Sequence, residues 1–117
     1  KLNWSLDKRT GILEITGSGN MADFVSLPAP WSEYNYCITE IKLHNGLTTI
    51  GESAFEYLYR IKEIEIPETV TSIGDFAFYY CTKLNNVVIS NKVNSIGSSA
   101  FRGCKSLESI KLSKLFL

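Results

Sequence analysis

The sequence predicts a solenoid of stacked repeats built mainly from short parallel β-strands, and three observations predict it. Ile50-Gly51-Glu52-Ser53-Ala54-Phe55 recurs as Ile73-Gly74-Asp75-Phe76-Ala77-Phe78 and as Ile96-Gly97-Ser98-Ser99-Ala100-Phe101, so that 73 − 50 and 96 − 73 both give 23 with no insertion. A fixed period of that length is the signature of a stacked array. Apolar residues keep the same step in columns: Ile38, Ile61, Leu84 and Leu107; Ile41, Ile64, Val87 and Ile110; Leu43, Ile66, Ile89 and Leu112. Residues 1–37 stand outside this register and carry both tryptophans, Trp4 and Trp31.

Taken in order, Leu2, Trp4 and Leu6 alternate with polar residues, and Leu13 and Ile15 do so again beyond Asp7-Lys8-Arg9-Thr10-Gly11. Two strands joined by a tight polar turn make a β-hairpin. Gly17-Ser18-Gly19-Asn20 reads as a turn, and the prolines of Pro28-Ala29-Pro30-Trp31 exclude helix and strand from the connector that follows. An array of repeats exposes apolar surface at its ends, so this segment is expected to cap the first repeat. The domain plan is a capping hairpin and connector at 1–37, then repeats at 38–60, 61–83, 84–106 and a partial one at 107–117, all in one structural domain.

Within each repeat, residues 41–43, 64–66, 87–89 and 110–112 alternate inward and outward and are predicted to be parallel strands. Leu47, Val70, Val93 and Phe116 form a further column, and Ile50, Ile73 and Ile96 each precede a glycine. Gly51, Gly74 and Gly97 serve a corner that needs either positive φ or close backbone approach. The alanine and phenylalanine that follow enter the interior, with the phenylalanines stacked as a spine. Those segments are too short for a full α-helix, and a single helical or 3₁₀ turn is expected.

Twelve basic and twelve acidic residues cancel without a run of either sign, so no electrostatic footprint for nucleic acid is present. No apolar stretch approaches the roughly 20 residues of a membrane span. Lys1 is not an initiator methionine, consistent with a processed or excised segment. Asn3-Trp4-Ser5 is the sole Asn-x-Ser/Thr match, a pattern too common to place the protein. Cys81 and Cys104 share a column within disulfide reach of each other, but Leu58 fills the same column, so they read as small buried apolar residues. His44 is the only histidine. It falls on an outward strand end aligned with Pro67, Ser90 and Ser113 and lacks the partners of a zinc site or a catalytic base. Gly17-Ser18-Gly19 has no third glycine or lysine to make a phosphate loop. No cofactor, metal or catalytic residue is therefore assigned.

Val70-Thr71-Ser72-Ile73-Gly74-Asp75-Phe76-Ala77-Phe78-Tyr79-Tyr80-Cys81-Thr82-Lys83-Leu84 resembles the consensus of the BspA-like leucine-rich repeats. Trp4-Ser5-Leu6-Asp7, the stretch from Gly11 to Asp23 and Ala29-Pro30-Trp31 resemble the segment that begins many such bacterial surface proteins. The resemblance implies a right-handed leucine-rich repeat solenoid, secretion or surface display, and adhesion or protein binding without catalysis. Leu58 in place of the cysteine, and Ser90 and Ser113 in place of Pro67, depart from the pattern. At the end, Leu115-Phe116-Leu117 aligns with Lys92-Val93-Asn94 and puts apolar residues where the last repeat would be uncovered. Continuation into a longer array is the favoured reading, with folding over the end or self-association of two chains there as the rivals.

The strands of such an array present their outward residues on the concave face. Glu40, Glu63, Asn86 and Ser109 make one outward line, and Lys42, Glu65, Val88 and Lys111 the next, with Lys42 facing Glu65. Tyr57 and Tyr80, which share a column with Gly103, are candidate anchors for protein or sugar contacts on the turn edge beside Tyr59, Phe76 and Tyr79, with packing along that edge as the competing reading. The candidate ligand-binding set is thus Glu40, Lys42, Glu63, Glu65, Asn86, Lys111, Tyr57 and Tyr80. A protein ligand, from a host or its extracellular matrix, is the expected partner. The competing readings are a solvated face with cross-repeat charge pairing, a structural spacer of a longer surface protein, and the non-catalytic part of a larger secreted enzyme.

Overall fold

In the computed structural model of the chain, which describes residues 1–112, the 23-residue period is also the hydrogen-bonding register. The strands are β1 (Leu2–Asp7), β2 (Ile12–Gly17), β3 (Gly19–Asn20), β4 (Glu40–Leu43), β5 (Leu47–Ile50), β6 (Glu63–Glu65), β7 (Ser72–Ile73), β8 (Asn86–Ile89), β9 (Ser95–Ile96) and β10 (Ile110–Leu112). Ser32–Tyr34 form a short 3₁₀ helix, the one helical element among the described residues. Ile64 pairs with Val87 and Val87 with Ile110, while Ile50 pairs with Ile73 and Ile73 with Ile96, each step being 23 residues and parallel. The arrangement is strand-rich and nearly helix-free among the described residues.

β4, β6, β8 and β10 are the strands expected from the alternation. β3, β5, β7 and β9 form a second parallel sheet that the sequence did not announce, because strands of two to four residues are too short to show a period of two. β1 and β2 make the antiparallel hairpin, Leu2 opposite Gly17 through Asp7 opposite Ile12. β2 then pairs parallel with β4, which sets Leu13 opposite Ile41 and Ile15 opposite Leu43. The ladder is interrupted between β4 and β6, which lie side by side in separate sheets.

The interior is the set of columns. Ile38, Ile61 and Leu84 are buried, as are Ile41, Ile64 and Val87, Leu47 and Val70, Ile50 and Ile73, and Ala54, Ala77 and Ala100. Phe55 and Phe78 stack at 5.5 Å between ring centroids and Phe78 and Phe101 at 5.3 Å. Trp31 extends this spine by one ring, 5.5 Å from Phe55, and its indole N–H donates to the carbonyl of Ala54 at 2.7 Å. Trp4 is 40% exposed and touches Trp31 edge-on at 5.8 Å. Burial fades toward the last described repeat: Ile96 and Ile110 are exposed and Phe101 is half-buried, since among the described residues no further repeat packs on them. Phe116, Ser113 and Leu115-Phe116-Leu117 lie outside the described residues.

The Ala-Phe segments are not the helical turns expected. Ser53, Phe76 and Ser99 adopt left-handed φ of 58°, 58° and 57°, and Tyr57, Tyr80 and Gly103 do so at 62°, 55° and 80°. Local bonds are of the i to i+3 kind, such as Ala77 N–H to the Gly74 carbonyl and Cys81 N–H to that of Phe78, both 3.3 Å. The remaining N–H groups turn along the stack: those of Ser53, Phe55 and Tyr57 donate to the carbonyls of Asp75, Ala77 and Tyr79 at 2.8–2.9 Å. A helix would direct these donors along its own axis and leave the next repeat unpaired. The corner glycines answer the question left open by their sequence. Gly51, Gly74 and Gly97 have ordinary φ, and a Cβ on Gly74 would stand 2.7 Å from the Glu52 nitrogen, so close approach of successive repeats is what requires them.

Candidate binding face

The outward residues of β4 and β6 are set by the strand alternation: with Ile41 and Ile64 buried, Glu40 and Lys42, and Glu63 and Glu65, must project outward. All four are exposed. The register puts Asn86 beside Glu63 and Val88 beside Glu65, and Lys111, also exposed, beside Val88. A hollow of about 560 Å³ lies on this face, lined by Glu40, Lys42, His44, Glu63, Glu65 and Glu68 among others. A second, of about 480 Å³, shares Glu40 and Glu63 but is bordered by Arg60, Lys62 and Lys83. One side of the face is therefore rich in carboxylates and the other in cations, with the Glu40 and Glu63 line between them.

The ion pairs among the described residues are Arg9 with Asp7, His44 with Glu14 and Lys92 with Glu68. Lys42 and Glu65, expected to face each other, do not close into a pair, so the charges of β4 and β6 remain uncommitted. Asn86 departs from its expected outward position: it is half-buried, and its Oδ1 is enclosed with no hydrogen-bond partner among the described residues. Ser90, aligned with His44 as an outward residue, is instead buried, and its Oγ accepts the Lys92 N–H at 3.2 Å. With Ile89 buried as well, the in-and-out alternation ends with the strand at that point. His44 itself lies on the rim, its Nε2 2.6 Å from Glu14 Oε2 of β2.

The turn edge carries the aromatic candidates. Tyr57 and Tyr80 are part exposed, with ring centroids 6.4 Å apart, and Tyr59 and Tyr79 lie 6.1 and 5.6 Å from Tyr57. The sequence reading stopped the register at Ile38, yet Glu33-Tyr34-Asn35-Tyr36 matches Glu56-Tyr57-Leu58-Tyr59 at a step of 23, so the register reaches back into the connector. That Glu-Tyr-x-Tyr match was the available signal for Tyr34 and Tyr36. Gly103 was the corresponding signal for the left-handed backbone at Tyr57 and Tyr80.

Cys37, Cys81 and Cys104 are free thiols. Cys81 and Cys104 donate to the carbonyls of Phe55 at 3.2 Å and Phe78 at 3.1 Å. Burial pushes the Cys81 thiol up to about 12 and raises that of Cys104, which suits packing and not nucleophilic attack. Among the described residues no three His, Cys, Asp or Glu side chains gather as metal ligands, and no helix is long and apolar enough to cross a membrane.

A 23-residue period, strands stacked in parallel at that step and a phenylalanine spine together define a leucine-rich repeat protein. The family described as BspA type Leucine rich repeat region (6 copies) matches residues 32–116, and the chain belongs to it. A crystal structure of a leucine rich cell surface protein from Faecalibacterium prausnitzii A2-165 is similar with a TM-score of 0.68 and 25% identity, over 92% of this chain and 32% of that one. A leucine-rich repeat protein from Eubacterium ventriosum ATCC 27560 is similar with a TM-score of 0.67 and 25% identity, over 97% of this chain and 42% of that one. The chain thus spans less than half the length of either structure. No curated protein sequence matches it.

Proposed function

We propose that this chain is a stretch of right-handed solenoid, displayed at a cell surface or secreted, that binds a protein partner through the outward face of β4, β6, β8 and β10 and performs no catalysis. The observation that carries this reading is the uncommitted charge of that face. Glu40, Lys42, Glu63 and Glu65 project around a hollow of about 560 Å³ and none of them enters an ion pair among the described residues. A rigid sheet presents such groups without an ordering cost for the backbone, leaving only the side chains to lose freedom on binding. Lys111 continues the face into the last described strand.

Residues 1–37 serve in this reading as the cap of repeats 38–117, supported by Leu13 and Ile15 opposite β4 and by Trp31 on the end of the phenylalanine spine. Surface location is supported by the family and by the name of the Faecalibacterium neighbour. The test is a binding screen against extracellular matrix and secreted host proteins, run beside a Lys42→Glu, Glu65→Lys, Lys111→Glu variant. A hit lost in the variant establishes the face. Hits that the variant retains, or no hit for either protein, overturn the reading, and the latter leaves the chain as a spacer.

A further inference from the structure

β1 is the outermost strand of its sheet: β2 lies on one side of it, and among the described residues no strand lies on the other. Lys1 and Ser18 exchange both backbone hydrogen bonds, at 2.8 and 3.2 Å. Bonded and non-bonded positions alternate in an antiparallel pair, so Asn3, Ser5 and Asp7 also turn their N–H and C=O groups toward β2. Those of Leu2, Trp4 and Leu6 turn away from it. They leave a row of unpaired donors and acceptors along the six residues of Leu2–Asp7.

Nothing in that row blunts it. Exposed edges are ordinarily protected by a proline, a bulge or a charge within the strand. β1 pairs with β2 in unbroken register, holds no proline or glycine, and carries no charge between Lys1 and Asp7. The side chains over the row are apolar. Trp4 is 40% exposed although its ring meets Trp31, and Leu2 and Leu6 are half-buried. The connector adds apolar surface at the same end of the stack: Phe24 N–H bonds the Glu52 carbonyl at 2.9 Å, and Val25 and Leu27 just beyond it are 70% and 76% exposed.

We infer that β1 pairs antiparallel with β1 of a second copy, about a two-fold axis at Trp4, and so joins two arrays end to end. What selects a second copy is that the strand complements itself in the register its own bonding allows. Leu2, Trp4 and Leu6 alone present bonds to the edge, so they pair among themselves. With Trp4 opposite Trp4, Leu2 meets Leu6, Asn3 meets Ser5 and Lys1 meets Asp7. Apolar residues then face each other on the inner side, and on the outer side amide meets hydroxyl and ammonium meets carboxylate. The Asp7 contacts with Arg9 use Oδ1 and leave Oδ2 for the lysine. A shift of two residues in either direction parts Lys1 from Asp7 and carries Leu2 or Leu6 past the end of the opposing strand. The pairing adds about six backbone hydrogen bonds and brings the two Trp4 rings together. It is isologous and uses up both edges, so association stops at two copies. Paired strands of one sheet share their faces, so the outward faces of both copies lie on the same side, whatever partner that face takes.

The test is sedimentation velocity of the chain from about 1 to about 300 μM, over which a monomer is expected to give way to a dimer and nothing larger. Trp4→Lys sets two ammonium groups opposite each other and is expected to weaken the dimer at least about tenfold. Should that variant not fold, two exposed positions read the register by cross-linking in a Cys37→Ser background. Asn3→Cys mixed with Ser5→Cys is expected to form the mixed disulfide in preference to either homodimer, because each position faces the other directly and lies about 8 Å from its own copy, beyond disulfide reach. A monomer throughout the range, assembly past the dimer, a dimer that a folded Trp4→Lys variant keeps, or homodimeric disulfides in place of the mixed one overturns the inference.

Discussion

Replacing Phe78 by alanine removes the middle ring of the spine. Phe78 is fully buried and stacked on both sides, against Phe55 at 5.5 Å and Phe101 at 5.3 Å. Core Phe to Ala changes cost about 3–5 kcal/mol, the upper end applying where the surroundings cannot collapse into the space. Collapse is blocked here because Phe78 N–H bonds the Ala100 carbonyl and Phe55 N–H bonds that of Ala77, both at 2.8 Å, which fixes the spacing of the repeats on either side. We therefore expect about 4–5 kcal/mol. Phe101 is half-buried with one stacked neighbour, and its removal is expected to cost about half as much.

The assay is urea unfolding followed by tryptophan emission, to which Trp31, stacked on Phe55, reports directly. At a slope of about 2 kcal/mol per molar urea, the midpoint should fall by about 2 M for Phe78→Ala and about 1 M for Phe101→Ala. A fall of less than about 0.7 M for Phe78→Ala, or equal falls for the two variants, would show that the rings are not a shared spine and that the register is wrong.

Three further expectations follow from the same contacts. Trp31→Phe keeps a ring over Phe55 but leaves the buried Ala54 carbonyl without its donor, so it should lower stability by about 1–3 kcal/mol in the same urea assay. Gly74→Ala should cost about 2–3 kcal/mol because its Cβ meets the Glu52 backbone, even though its φ suits alanine, and a neutral thermal melt would refute the close-approach account. The Cys81 thiol stays neutral in the fold to about pH 12, whereas the unfolded thiol ionises near its ordinary value of 9.0. Its contribution is whole below pH 9 and is lost as pH climbs from there toward 12, at about 1.4 kcal/mol per pH unit. Cys81→Leu, which copies Leu58 of the same column, should have a shallower fall in stability over that window than the parent, and parallel curves would count against it.

Much of the fold was legible because repetition turns sequence spacing into spatial register. Ile64, Val87 and Ile110 were assigned to one column by adding 23, and they are partners in the sheet. What escaped was whatever repetition alone does not encode. The second sheet rests on pairs such as Ser72 and Ile73, too short to alternate. Left-handed φ at Ser53, Phe76 and Ser99 is written in no residue type that favours it, so a helical turn was the natural expectation. Gly103 did carry that information for its own column, but two tyrosines in the other repeats concealed it. On the strand face, the alternation gave the direction of Glu40, Lys42, Glu63 and Glu65. It did not give the failure of Lys42 and Glu65 to pair, since that depends on side-chain conformations that period-two patterning leaves free.

The same logic separates what holds this chain together from what it presents. An inward residue is constrained by neighbours in both adjacent repeats, which is why its column stays apolar from Ile38 to Leu84 and from Ile41 to Val87. An outward strand residue meets no such demand, and its column drifts from Glu40 through Glu63 to Asn86 without altering the ladder. Variation there carries little information about the fold and is free to carry recognition. The Tyr57, Tyr80 and Gly103 column differs from both kinds. Its side chains are part exposed on a left-handed backbone that Gly103 adopts without strain, and they pack along the stack, the Tyr80 ring lying across Gly103 of the next repeat. Left-handed φ is carried by Ser53, Phe76 and Ser99 as well as by these two tyrosines, so it belongs to the turn that joins one repeat to the next and does not by itself mark a residue for recognition.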